Sequence, residues 1–336
     1  MKFDITRQQP FSSLVTLFVT SIIGFFILLS GSHSLAEFVV SDSVLGVYVT
    51  ELQHNYRVWS AIIASVALML SATWLGQMIS VHSLYGGSTS LHLPLLGVLL
   101  WSTLLGGEPL LASLVLTLVV VALGSLYIAS RGSGYISALF DASFALSILP
   151  LLYSPSIILW VAMPLILIFV GATLREWVVA VVGLMLPFCL VSYIYWLFGY
   201  DFLFVGESLL SIVNTPSGAD TVESIPIFRC AIVVISLLLA LLSLFWFRDA
   251  LPRTRGRLYV TYTLFVASLL TLLFTSVTAL SFVLVAPMAA TLLSLSLVRM
   301  RGLVVNIIYV LLLVLLLCAM FSPIYLPLEQ LKSLLQ

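Results

Sequence analysis

An apolar run at residues 140–187 is the feature that most constrains what this chain folds into. It reads FDASFALSILPLLYSPSIILWVAMPLILIFVGATLREWVVAVVGLMLP, with Asp141 near its start and Arg175-Glu176 near its end. A helix of a soluble domain needs one polar face toward water, and almost nothing between these charged positions supplies one. Hydrocarbon is the solvent that suits such a run, because a spanning helix needs about 20 apolar residues. We therefore predict membrane helices here.

The composition extends this prediction to the whole chain. Of its 336 residues, 62% are hydrophobic and 8% are charged, and the mean hydropathy is +1.24, whereas roughly a quarter of the residues in a soluble domain are charged. The predicted fold is all-α: a polytopic membrane helix bundle that forms one integral membrane domain over residues 1–336. The cysteines lie inside apolar runs without pairing or metal-ligand spacing, which favours a packing role for Cys189, Cys230 and Cys318.

The apolar segments number about 11 when they are counted at bilayer length. The first, at residues 11–30, is interpreted as a spanning helix, and a cleaved signal peptide is the alternative. Two pairs of segments, which we call the short hairpins, are each broken by a turn: 93–105 and 110–128 around Gly106-Gly107-Glu108-Pro109, and 139–152 and 157–171 around Tyr153-Ser154-Pro155-Ser156. Thirteen helical residues span about 20 Å of an apolar core about 30 Å thick. Full crossing and re-entry therefore both remain open.

The polar connections predict how the chain is oriented. Outer loops are expected at 31–57 and 199–226, a basic inner loop at 248–257 and an interfacial tail at 326–336. Lys and Arg residues concentrate on the cytoplasmic side of a membrane protein. With the N-terminus inside and the C-terminus outside, 10 of the 13 Lys and Arg residues fall inside, and the other three are Arg57, Arg229 and Lys332.

Acidic residues supply the candidates for chemistry. Asp42, Glu51 and Glu108 are predicted on the outer side, where a carboxylate could act as a base toward a lipid-linked substrate or bind a cation. Their alternative role is solvated loop charge. Asp141 and Ser143 are candidates for a cavity between the short hairpins, because ionisable groups inside a membrane tend to be functional. Their alternative role is to cap a helix at the interface.

Arginines supply the candidates for contact with lipid. Phosphate head groups attract basic residues at the inner boundary, and each of these arginines also serves as a signal for topology. The predicted head-group contacts are Arg175, Arg248, Arg253, Arg255 and Arg257.

Several short motifs resemble a known family. Phe140-Asp141-Ala142-Ser143-Phe144, Leu152-Tyr153-Ser154-Pro155, Arg175-Glu176-Trp177 and the stretch 183–187 are similar to a bacterial domain-of-unknown-function family of polytopic inner-membrane proteins. The resemblance covers about residues 60–190 and implies an inner-membrane location without an established activity. Some members are labelled beta-carotene monooxygenases. Such an enzyme needs several histidines around iron, and the four histidines all lie near the N-terminal third: His33, His54, His82 and His92.

A more distant likeness is to membrane glycosyltransferases that use polyprenyl-phosphate sugars. These proteins also have about 11 helices, acids in the first outer loop and short helices that end in a proline-marked turn. The likeness implies that Asp42 or Glu51 would act as the catalytic acid. This chain departs from the pattern in its short first loop and in having no paired-acid motif.

Motif searches leave the activity open. The chain contains no phosphate-binding G-x-x-x-x-G-K-[ST], H-E-x-x-H, C-x-x-C or nucleophile elbow, so we expect no cofactor and no metal. Paired charges inside spanning segments are also missing, which disfavours ion-coupled transport.

The first hypothesis is an envelope assembly subunit or a permease-like protein, and the alternative is a polyprenyl-phosphate-sugar-dependent glycosyltransferase or polymerase. Membrane lipid is the expected partner, other inner-membrane proteins are candidate partners, and the zero net charge argues against nucleic acid.

Overall fold

The fold is an all-α bundle, which confirms the predicted class. The computed structural model describes residues 10–30, 43–82, 84, 89–104, 108–130, 135–214, 227–245, 252–274, 279–300 and 302–321, and within these ranges the chain forms helices and no strands. The helices are α1 Pro10–Ser30, α2 Gly46–Asn55, α3 Arg57–Val81, α4 His92–Leu104, α5 Pro109–Ala129, α6 Ile136–Leu152, a 3-10 helix Ser154–Val161, α7 Ala162–Val170, α8 Leu174–Leu197, α9 Phe204–Asn214, α10 Ile227–Leu242, α11 Pro252–Phe274, α12 Ala279–Arg299 and α13 Gly302–Phe321.

Within the part of the chain that the structure describes, six helices are long and apolar enough to cross a membrane, and the chain is a multi-pass membrane protein. They are α1, α3, α5, α8, α12 and α13. Four shorter apolar helices accompany them within the described ranges: His92–Ser102, Ile136–Leu152, Ser154–Val170 and Ala231–Phe245. The two predicted short hairpins correspond to α4 with α5, and to α6 with the 3-10 helix and α7.

Helix α12 lies at the centre of the bundle. Its residues 283–297 are buried without interruption, and it packs against α4, α10, α11 and α5. A helix that is apolar on every side belongs in the interior. Three hydroxyls on α12 donate to backbone carbonyls: Thr291 Oγ1 to Met288, Ser294 Oγ to Ala290, and Ser296 Oγ across to Leu239 on α10.

Contacts between helices define two ends of the bundle. Leu126 and Ala129 at the end of α5 line the same small pocket as Tyr135 and Leu139 at the start of α6, so α5 and α6 are antiparallel. The start of α5 and the end of α6 therefore meet at the opposite end, where α2 lies. We call the end with the small pocket the arginine end, because Arg175, Arg255, Arg257 and Arg299 lie near helix termini there. We call the opposite end the α2 end.

The predicted connections contain more helix than expected. Within the predicted outer loops, residues 46–55 form α2 and residues 204–214 form α9. The predicted basic inner loop at 248–257 is also partly helical, because α11 begins at Pro252 and carries Arg253, Arg255 and Arg257 in its first two turns. Proline at the first position starts a helix without losing a needed N–H group. Residues 31–42, 215–226, 246–251 and 322–336, and with them the predicted tail, lie outside the described residues.

Candidate binding site at the α2 end

Helix α2 is tied to the end of α6 by the residues that precede it. Ser43 Oγ donates a 2.5 Å hydrogen bond to the carbonyl oxygen of Leu152, and the backbone N–H of Leu45 donates a 2.8 Å bond to the carbonyl of Leu151. Carbonyls in the last turn of a helix have no partner within that helix. These two bonds therefore satisfy the end of α6 and place the start of α2 above it.

The other end of α2 is tied to α5 and runs directly into α3. Gln53 Oε1 accepts a 3.0 Å hydrogen bond from the backbone N–H of Leu110, one of the unpaired donors in the first turn of α5. Only Tyr56 separates α2 from α3. Arg57 then donates from Nη2 to the carbonyl of Leu28 at the end of α1, at 3.1 Å. Helix α2 thus lies across the ends of α6, α5 and α3.

Beneath α2, Glu108 occupies the cap position of α5 with its side chain buried. The residue is 6% exposed, and its extended backbone leads into Pro109 at the first helical position. Its side chain makes no capping bond, and Oε2 has no hydrogen-bond partner among the described residues. Loss of hydration raises the pKa of the Glu108 carboxyl from about 4.5 to about 7. This carboxyl therefore changes charge near neutral pH.

Two serine hydroxyls at the same end of the bundle are also buried without a hydrogen-bond partner. Ser60 on α3 is 1% exposed, Ser154 at the start of the 3-10 helix is 4% exposed, and neither Oγ has a partner within the described ranges. Buried polar atoms without a partner are rare in proteins and call for an explanation such as an unseen water, ion or ligand. We refer to Ser60, Glu108 and Ser154, which lie on three different helical segments at this end of the bundle, as the α2-end cluster.

The register of α3 against α5 brings Ser60 and Glu108 to the same level. Ser71 Oγ and Thr117 Oγ1 form a 2.9 Å hydrogen bond between these helices, and further along the rings of His82 and Tyr127 meet edge to face, so the two helices are parallel. Ser60 lies roughly three turns before Ser71, on the face of α3 that meets α5. Glu108 lies roughly two and a half turns before Thr117, so it is at a similar level but on the opposite side of α5. Ser154 lies at the same end of the bundle because α6 is antiparallel to α5, and its 3-10 helix packs against α6, α11, α7, α9 and α12.

The structure brings together the segments that carry two of the predicted catalytic acids, Glu51 and Glu108. Glu51 lies on α2 two positions before Gln53, whose side chain bonds to Leu110, and Glu108 lies two positions before Leu110. The two carboxyls differ in environment, because Glu51 is exposed and Glu108 is buried. Asp42 lies outside the described residues.

The predicted cavity residues lie on different faces of α6. Asp141 is exposed, while Ser143 is fully buried against Gly183 of α8 and donates its hydroxyl to the carbonyl of Leu139 at 2.8 Å. Two helical positions differ by about 200° around the axis, so these side chains do not point into one space. Ser143 instead lies where α6 and α8 come closest, beside a glycine with no room for a Cβ atom.

The predicted head-group arginines divide into two groups at the arginine end. Arg175 and Arg255 are exposed at the starts of α8 and α11. Arg257 is half-buried and donates from Nη1 to the carbonyl of His82 at 2.6 Å, which ties the start of α11 to the end of α3. Arg248 and the side chain of Arg253 lie outside the description.

Sequence reasoning missed Ser60, Gln53 and Ser154 as members of this site. The interrupting turns at Gly106-Gly107 and Tyr153-Ser154-Pro155 were visible in the sequence and marked the right places. Ser60 carries no signal of its own, because a single serine in an apolar helix usually bonds to its own backbone.

Metal binding finds no support among the residues described: no group of three or more His, Cys, Asp or Glu side chains is close enough to hold an ion. The chain matches no family model, and comparisons with curated proteins and with solved structures find no match either.

Proposed function

We propose that this chain is a permease-like protein of the bacterial inner membrane whose substrate site is the α2-end cluster. The observation that carries the proposal is a set of buried polar atoms without partners among the described residues: Glu108 Oε2 and Ser154 Oγ beside the breaks of the two short hairpins, and Ser60 Oγ near the start of α3. Interrupted or short membrane segments mark the substrate sites of many transporters. Breaks in a helix at membrane depth are tolerated where protein or water surrounds them.

The distribution of charge supports the proposed orientation. Five arginines of the described helices lie at the arginine end: Arg175, Arg253, Arg255, Arg257 and Arg299. Two, Arg57 and Arg229, lie at the α2 end with the acids Glu51, Glu108, Asp201 and Glu207. Because basic residues favour the cytoplasmic side, the arginine end would face the cytoplasm and the α2 end the periplasm. The resemblance to a family of bacterial inner-membrane proteins supports the same location.

Labelling of single cysteines tests this site and its orientation together. In a variant whose native cysteines are replaced by serine, Ser60→Cys and Ser154→Cys are expected to react slowly with a membrane-impermeant maleimide added outside intact cells. Gln53→Ala removes one of the bonds that hold α2, worth about 1 kcal/mol, and is expected to speed labelling about fivefold.

Three further cysteine positions serve as controls. Glu207→Cys is exposed on α9 and should react at once, Ser294→Cys in central α12 should not react, and Arg255→Cys should react only after the membrane is permeabilised. Labelling of Ser60→Cys and Ser154→Cys only after permeabilisation would overturn the orientation. If neither position reacts even with Gln53→Ala, the substrate site is wrong and a role as an envelope assembly subunit is favoured.

A second candidate function is a glycosyltransferase or polymerase that uses polyprenyl-phosphate sugars. The specific observation in its favour is the buried carboxyl of Glu108 beneath a helix that carries Glu51. Burial raises the pKa of this carboxyl to about 7, which suits a general base working at neutral pH. Alanine at Asp42, Glu51 and Glu108 in turn is expected to lower the amount of an envelope glycan by about 100-fold or more for the residue that acts as base. Unchanged glycan in all three variants would exclude this enzyme.

A further inference from the structure

We propose that Glu108 is a proton-binding site that controls whether the end of α2 stays attached to the start of α5. The Glu108 carboxylate and the side-chain amide of Gln53 compete for one backbone N–H group, that of Leu110, and a proton on Glu108 decides the competition in favour of Gln53. The inference goes beyond the function proposed above, because it concerns the attachment of α2 and holds whatever the protein transports or makes.

The cap of α5 is the first argument. A side chain at the cap position of a helix commonly accepts a hydrogen bond from the second or third N–H group of that helix. Glu108 occupies the cap position of α5 and Leu110 is the second helical residue, but the Glu108 side chain makes no capping bond. Gln53 Oε1 accepts the N–H of Leu110 instead, at 3.0 Å. A residue of α2 therefore takes the place that the acidic residue of α5 itself could occupy.

The burial of Glu108 explains why its own carboxyl does not take that place. The residue is 6% exposed, and Oε2 has no hydrogen-bond partner among the described residues. A buried carboxylate without a counter-charge is costly, and such a group tends to become neutral by binding a proton. Burial accordingly raises the pKa of the Glu108 carboxyl from about 4.5 to about 7. A neutral carboxyl is a weaker acceptor than a carboxylate, so Gln53 keeps the N–H of Leu110.

The residues around the start of α5 provide no counter-charge for an ionised Glu108. Helix α5 packs against α2, α3, α6, α11 and α12. At this end of the bundle, the last turns of α6 and α11 and the first turn of α12 contain no ionisable residue. The ionisable side chains of α2 and of the start of α3 are all exposed: Tyr48, Glu51, His54, Tyr56 and Arg57. Loss of the proton therefore creates a charge that the N–H groups of α5 and water have to stabilise.

Loss of this proton to water changes which side chain caps α5. The positive end of the α5 dipole favours a carboxylate at the cap, and a hydrogen bond to an ionised acceptor is roughly twice as strong as one to a neutral acceptor. The Glu108 carboxylate then displaces Gln53 from Leu110. Helix α2 keeps the bonds of Ser43 and Leu45 to the end of α6, but its other end loses its hydrogen bond to α5.

The mobility of a spin label on α2 tests the proposal in the full-length protein in nanodiscs. The label is attached to His54→Cys, an exposed position near the end of α2, after the native cysteines are replaced by serine, and this change also removes the histidine of α2. A proton stabilises the attached state, so attachment is complete at low pH and is lost as the pH rises.

The pH response has an expected size. With a pKa of about 7 in the attached state and the ordinary value of about 4.5 in the released state, the ratio of mobile to immobile label should rise about 20-fold between pH 5 and pH 6.5 and level off above about pH 7.5. A label at Glu207→Cys, exposed on α9 at the same end of the bundle, should show no such rise.

Variants identify the two competitors. Glu108→Gln is expected to keep the label immobile at every pH, whereas Glu51→Gln, an exposed acid on α2, should retain the full response. Gln53→Ala should raise the ratio about fivefold at pH 5, because it removes a hydrogen bond worth about 1 kcal/mol. It should also reduce the pH response to less than about twofold, because both residues act on one bond. Gln53→Ala therefore keeps the test decisive if Glu108→Gln does not fold.

Three outcomes would overturn the inference. These are a label whose mobility is the same at pH 5 and pH 8, an unchanged pH response in Glu108→Gln, and a full response in Gln53→Ala, which would mean that Glu108 ionises without releasing Gln53. A label that ignores pH while Ser60→Cys and Ser154→Cys react from outside would remove the proton-binding site and leave the proposed substrate site standing.

Discussion

Replacing Gly24 by alanine is expected to lower the free energy of unfolding by about 1–3 kcal/mol, the usual cost of forcing an extra group into a packed interior. A Cβ atom on Gly24 of α1 would lie 2.2 Å from Cε3 of the Trp101 indole on α4. Trp101 is 1% exposed, and its Nε1 donates to Ser21 Oγ at 3.2 Å. The rigid ring has no space to move into, so α1 must shift away from α4.

Gly124→Ala is the matched control for this prediction. Its Cβ atom would come equally close to a neighbour, 2.1 Å, but that neighbour is the Sδ and Cε end of Met78. Methionine has three rotatable side-chain bonds and adapts to a changed space, and alanine favours a helix more than glycine does. We expect a change below about 1 kcal/mol. Unfolding midpoints measured in one detergent compare the two variants, and equal losses would contradict the packing argument.

Replacing Thr261 by valine is expected to lower the free energy of unfolding by about 1–3 kcal/mol, because it leaves a buried hydroxyl without a partner. Thr261 Oγ1 on α11 donates to the carbonyl of Arg257 at 2.9 Å and lies 2.7 Å from Tyr127 Oη on α5. Since the threonine proton is used on Arg257, Tyr127 is the donor in the second bond. Valine has nearly the same shape but cannot accept, and Tyr127 is fully buried.

Two comparisons separate the hydrogen bond from the change of side chain. Thr263→Val, two positions along α11, removes only a hydroxyl that bonds to the carbonyl of Tyr259 in its own helix, and should change stability by less than about 0.5 kcal/mol. Tyr127→Phe combined with Thr261→Val should cost less than the sum of the two single changes, because both partners of one bond are removed. Chemical unfolding in mixed micelles measures the unaltered protein and the four variants, and strict additivity of Tyr127→Phe and Thr261→Val would show that the bond contributes nothing.

The sequence predicted the class of protein and the places where its helices are interrupted. Apolar runs long enough for a bilayer identify membrane helices whatever their packing, because each such helix satisfies its own backbone hydrogen bonds in hydrocarbon. The interruptions near Gly106-Gly107 and at Tyr153-Ser154-Pro155 were also predictable from local sequence, because glycine, serine and proline favour turns. The short helices α2 and α9 were missed because their polar residues resemble those of a loop.

The candidate site was only partly predictable. Glu108 stood out as an acid beside a turn, but the sequence placed it in water with Glu51, and only the structure shows that α2 covers it. Burial depends on which distant segment packs above a residue, and no periodicity near Glu108 carries that information. Ser60 and Ser154 became candidates through the register between α3 and α5 and the antiparallel packing of α6.

The arginines illustrate the same division between local and distant information. Their number and spacing alone predicted one basic side of the membrane. The bond from Arg257 to the carbonyl of His82 joins residues far apart in the chain, and only the tertiary structure distinguishes this arginine from the exposed Arg175 and Arg255. Hydropathy and charge are properties of each residue, so the sequence by itself determined the membrane class and the basic side of the protein. Which polar atoms are buried at the α2 end was decided by how the helices pack, because an atom's access to water depends on its neighbours in space.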